Sequence, residues 1–100
     1  MDSHQLSPTE QWQNLLNLFA LVADREPQRL EEEASYCDLG GETEEQVGAA
    51  LGILNELDPE KALQLFQEKN PNLEVPTSPS VPPPDQAYQL ASGLLTMLST

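Results

Sequence analysis

Little in this chain of 100 residues is equipped for chemistry: it has one cysteine, one histidine and only four Lys and Arg side chains. Each scarcity excludes something. Cys37 has no second cysteine to pair with, so no disulfide forms within the chain and the reducing cytoplasm is the expected compartment. One Cys and one His fall short of the four ligands, mainly of those two types, that a structural zinc site takes. His4 lies in a polar N-terminal stretch, and Cys37 stands near Glu33 and Asp38, an acidic setting that disfavours the reactive thiolate. Neither suits a nucleophile–base pair.

Long apolar runs are also missing. The richest stretch, Leu15 to Ala23, is interrupted by Asn17 and is much shorter than the ~20 residues of a membrane span. Met1-Asp2-Ser3-His4-Gln5 carries neither the basic nor the apolar region of a secretion signal. No G-x-x-x-x-G-K-[ST] or G-x-G-x-x-G phosphate loop occurs. Asp38, Glu42, Glu44 and Glu45 around Gly40-Gly41 supply oxygen ligands, but their spacing does not match an EF-hand loop. Carboxylates abound without an evident apolar pocket to perturb them, so no enzyme, cofactor or metal site is expected.

Cations are scarce relative to acids. Seventeen Asp and Glu against four Lys and Arg give a net charge of −13, which repels phosphate backbones and anionic head groups. Direct nucleic-acid or membrane binding is therefore not expected. A charged partner would be another protein with a basic surface.

What the chain does have is Leu and Ala at helical spacing, punctuated by nine prolines. Ser7-Pro8-Thr9-Glu10 reads as a capping box with proline in the first turn. Trp12, Leu15, Leu16, Phe19, Val22 and Ala23 then recur on one face, which Leu18 and Leu21 widen. Pro27 restarts a second helix carrying Leu30, Ala34 and Tyr36, and Gly40-Gly41 stops it. Thr43-Glu44-Glu45-Gln46 is a second capping box, followed by Val47, Ala50, Leu51, Leu54 and Leu57. Gly48 and Gly52, four apart, suggest a close helix contact on an adjoining face. Asp58-Pro59 opens a fourth helix that buries Ala62, Leu63, Leu65 and Phe66.

The expected fold is all-α: a small bundle of two αα-hairpins, with helices at about 8–24, 27–36, 43–57 and 59–69, plus a C-terminal helix at about 86–98. Residues 1–7 form a disordered tail, 8–70 the bundle, 71–84 a Pro-rich linker, and 85–100 an amphipathic helix that docks on the bundle or on a partner. A faint repeat, Asp24-x-x-Pro27 against Asp58-Pro59, has an offset near 34 residues. With Ala62-x-x-x-Phe66, it resembles the second helix of a tetratricopeptide hairpin over about a third of the chain. The first helix lacks the Trp, Leu-Gly and Tyr positions in register, and a compact bundle accounts for the same pattern.

Two surfaces are candidates for binding. The C-terminal helix is uncharged from Gln86 to Thr100, and Leu90, Leu94, Leu95 and Leu98 lie on its apolar face with Ala87 and Ala91. Folded back, that face fills the bundle's groove; presented outward, it enters a partner's groove or supports a homodimer by exchange. The second surface is residues 24–45, where nine acids, with Glu31, Glu32 and Glu33 at the centre, face Arg25 and Arg29. Acids in that number suit a solvated edge, or a basic partner for which carboxylates stand in for phosphates. The Pro76-x-x-Pro79-x-x-Pro82 spacing is that of a polyproline II spacer, and Ser78-Pro79 matches a proline-directed phosphorylation site. The leading expectation is a non-enzymatic interaction module (adaptor, small regulator or assembly factor) acting through its apolar groove and C-terminal helix. The alternative is an acidic inhibitor of a nucleic-acid-binding protein acting through residues 24–45.

Overall fold

Prolines and capping side chains set where the helices begin. The computed structural model describes residues 6–35, 43–77 and 81–98. Its helices are α1 Pro8–Arg25, α2 Pro27–Ser35, α3 Thr43–Glu56, α4 Pro59–Lys69 and α5 Pro84–Leu98. All but α3 have proline as their first residue, where a missing N–H costs nothing because no carbonyl precedes it in the helix. The Ser7–Glu10 capping box is formed in both directions: the Ser7 hydroxyl accepts from Glu10 N–H at 3.3 Å, and Glu10 Oε1 accepts from Ser7 N–H at 3.1 Å. Asp58 Oδ2 accepts from Lys61 N–H at 3.4 Å, as its place before Pro59 implies.

Glu26 alone separates α1 from α2. Pro27 forces it out of helical geometry (φ −134°, ψ 61°), yet its N–H still donates to Val22 O at 2.7 Å. Its own carbonyl accepts from Arg29 N–H at 3.2 Å, so one residue closes one helix and opens the next. The last helix starts at Pro84, two residues before the expected 86. Pro84 occupies the first position, and Ala87 N–H reaches back to Pro83 O at 2.9 Å. Tyr36, expected at the end of the second helix, lies outside the described residues. So do His4, Cys37, Asp38, Gly40, Gly41, Glu42 and Ser78-Pro79.

The architecture is an all-α small bundle with a C-terminal helix packed on it. α1 is central: α4 and α5 lie against it and against each other, while α2 and α3 pair chiefly with one another and lean on α1 and α5. α3 and α4, although consecutive, share little surface. Serving several neighbours explains the breadth of the apolar face of α1, where Leu18 is buried along with Trp12, Leu15, Leu16, Phe19 and Val22. The radius of gyration, 13.1 Å, is that of a close-packed domain of this length.

The close glycine contact falls on a different helix from the expected one. Gly48 and Gly52 allow no close helix approach, because a Cβ at either would meet nothing within 4 Å. The glycine that does is Gly93 on α5, where a Cβ would stand 2.8 Å from Leu73 Cδ1 and 3.0 Å from Phe66 Cε2. Asn70 secures the same crossing, its Nδ2 donating to Phe66 O and Gly93 O at 3.1 Å each. The following segment is drawn onto the bundle: Val75 is buried, Leu73 packs against the core, and Thr77 O accepts from Leu6 N–H at 3.0 Å.

Candidate functional site

Of the two surfaces open to a partner, the leucine stripe of α5 is the easier to place. Leu90, Leu94 and Leu95 are no more than 1% exposed, buried with Ala87 and Ala91, and Leu98 packs half-buried beside them. In this conformation their apolar area is satisfied within the chain, by α1 and α4 above all. The other surface remains outside. Glu32 is exposed, Glu31 and Glu33 are half-buried at the margin of α2, and Asp24 and Glu45 are exposed.

The position of the glutamate run within its helix matters more than its exposure. α2 has no acid in its first turn, where the helix dipole would favour one, and no base in its last turn. Glu32 and Glu33 fall within that last turn of Pro27–Ser35, with Glu31 immediately before, next to the negative end of the dipole. Dipole-favoured capping therefore does not account for these acids, as it does for Glu10 in α1, Glu60 in α4 or Asp85 in α5. Each acid at the wrong end costs a helix roughly 0.3–1 kcal/mol at low salt.

Glu33 is tied to another helix. Tyr88 on α5 donates its hydroxyl to Glu33 Oε1 at 3.0 Å, joining α5 to α2. Over the face of the Tyr88 ring, 3.9 Å from its centroid, lies the Arg29 guanidinium. Arg29 also reaches Glu26 Oε1 at 3.0 Å, with its side chain 52% exposed. Partial burial pushes the Tyr88 hydroxyl above its ordinary value, and the bond to Glu33 and that residue's charge push the same way, while Arg29 opposes them. The bond to Glu26 raises Arg29, and its burial opposes that. Arg29 and its acids were readable as i−3 and i+4 neighbours along one helix. Tyr88 was not, because it falls at the margin of the apolar stripe of α5 and only tertiary packing brings it to α2.

Elsewhere the surface is less organised. A groove of about 430 Å³ runs between Asn72–Glu74 and the start of α5, lined by Pro83, Asp85, Gln86, Gln89 and Leu90. Its polar groups are the amides of Asn72, Gln86 and Gln89 and the carboxylates of Glu74 and Asp85. Among the described residues no cluster of three His, Cys, Asp or Glu side chains is placed to hold a metal ion, and no helix is long and apolar enough to cross a membrane. At α3 the Trp12 indole N–H donates to Leu54 O at 3.1 Å, satisfying a buried carbonyl near the helix end.

The arrangement offers a negatively charged helix edge, with one aromatic ring and one arginine set into it. No family model, no curated protein and no solved structure matches the chain.

Proposed function

We propose that this protein is a non-enzymatic interaction module, a small regulator or adaptor, that binds a basic protein surface through the acidic edge of α2. The observation carrying this reading is the glutamate run in the last turn of α2, where the helix dipole opposes negative charge. The net charge of −13 adds a long-range field that attracts basic partners and speeds encounter. Burial of Leu90, Leu94 and Leu95 moves the emphasis away from α5, whose role becomes that of a core helix. A partner that otherwise holds nucleic acid would be inhibited by such a surface, since carboxylates would take the place of phosphates.

The test is binding to a panel of basic and neutral proteins across a salt series. A steep loss of affinity with salt, and loss of binding when Glu31 and Glu32 are both changed to Gln, are the expected results. Salt-insensitive binding that survives both substitutions would assign the contact to another surface.

A further inference from the structure

Resting on the reading of α2 as a surface for a basic partner, we propose that Tyr88, Glu26 and Glu33 form a guanidinium-binding cradle. Arg29 occupies it in cis, and an arginine side chain of the partner is the group that replaces it. A guanidinium takes an aromatic face below it and carboxylates at its edge, because its planar, weakly hydrated cation stacks as well as donates hydrogen bonds. The Tyr88 ring supplies the face at 3.9 Å. Glu26 supplies an edge carboxylate at 3.0 Å. Glu33, fixed by the Tyr88 hydroxyl at 3.0 Å, stands one helical turn beyond Arg29 on the same side of α2.

The group seen in this cradle is itself a guanidinium. Arg29 is tethered to α2, its side chain is 52% exposed, and it is one of only four cations in the chain. A half-exposed pair held by a neighbouring turn exchanges readily with an incoming group of the same kind. Lysine, a compact and strongly hydrated ammonium, gains less from the ring. The cradle thus gives the acidic edge a preference that net charge alone cannot supply: arginine over lysine.

The experiment uses the full chain and two probes, a short glycine–arginine repeat peptide and its glycine–lysine counterpart. Removing a positive charge strengthens both equally, so the ratio of their affinities isolates the cradle. Wild type is expected to favour the arginine peptide, but less than a variant without Arg29, because the incoming side chain must first displace that residue. Arg29→Ala is expected to favour the arginine peptide by about fivefold, in line with a partly exposed stacked and charge-assisted contact. Adding either Tyr88→Leu or Glu33→Gln to Arg29→Ala should return the ratio to near one; the second variant guards against a change of packing at α5. Equal affinities for the two peptides in Arg29→Ala would overturn the cradle while leaving the proposed function standing. So would a preference that persists in both double variants. Failure of every variant to bind either peptide would overturn the proposed function, and the cradle with it.

Discussion

The α1–α4–α5 unit and the α2–α3 pair are held by different means, although they share one interior. In the first, large side chains meet from three sides: Trp12, Leu15 and Phe19 from α1, Phe66 from α4, Leu90, Leu94 and Leu95 from α5, all at most 3% exposed. In the second, the fully buried residues among those described are Leu30, Ala34, Ala50 and Leu54. Small buried residues bring the backbones together but contribute little apolar area, and each large aliphatic side chain is worth about 1.5–3 kcal/mol when buried. The pair is tied to the rest by the Trp12 indole bond to Leu54 O and the Tyr88 hydroxyl bond to Glu33. The unit with the deeper core is thus the scaffold. The thinner pair carries the acidic edge that the proposed function uses, and it can bear destabilising charge because the fold does not rest on it.

The largest contrast should come from charge placed in each interior. Leu94→Asp puts a carboxylate at a site with no solvent access, and more than about 4 kcal/mol of lost stability, seen as loss of the cooperative thermal transition, is expected. Leu30→Ala, in the pair, should cost about 2 kcal/mol, the low end for a buried leucine. Hydrogen exchange should locate its effect in α2 and α3 while α1, α4 and α5 keep their protection. Equal loosening of all five helices would erase the distinction between the two regions.

Glycine substitutions should separate the two regions by sign. Gly93→Ala presses on Phe66 and Leu73 and should cost roughly 1–3 kcal/mol, whereas Gly48→Ala and Gly52→Ala fill open space on α3 and should each add about 0.5–1 kcal/mol. Denaturant midpoints of the three variants give the test directly. Smaller still is the alkaline response of the link between the two regions. Because the folded chain holds the Tyr88 hydroxyl above its ordinary value of 10.0, its contribution is complete below that pH and is lost as pH rises through the raised value. Tyr88→Phe should flatten the fall in stability above about pH 10.

Much of the scaffold was legible because local signals and tertiary packing agree there. Ser7-Pro8, Pro27 and Asp58-Pro59 mark helix starts by chemistry that needs no neighbour, and the apolar positions of α1, α4 and α5 reappear in the core almost residue for residue. What was not legible depends on which helix meets which. The 3.6-residue period shows that Leu90, Leu94 and Leu95 share a face but not whether that face turns inward. Gly48 and Gly52 have the spacing of a contact, and Gly93 has the contact. The glutamate run was visible as charge, yet its meaning came from where α2 ends, since only the helix boundary places Glu32 and Glu33 against the dipole. Tyr88 was hidden altogether, for its partners on α2 lie more than fifty positions away.

In the proposed function Glu31 and Glu32, which the dipole of α2 opposes, bind the basic partner. The direct measurement is one double variant, Glu31→Gln with Glu32→Gln, followed in two assays at low and high salt: thermal unfolding, and affinity for a basic protein that the wild type binds. The two responses should have opposite signs, with stability rising by about 0.5 kcal/mol at low salt as the dipole conflict is relieved, and affinity falling severalfold, both differences shrinking as salt is added. A variant that loses stability, or that gains it while binding as tightly as before, would rule out that role for Glu31 and Glu32.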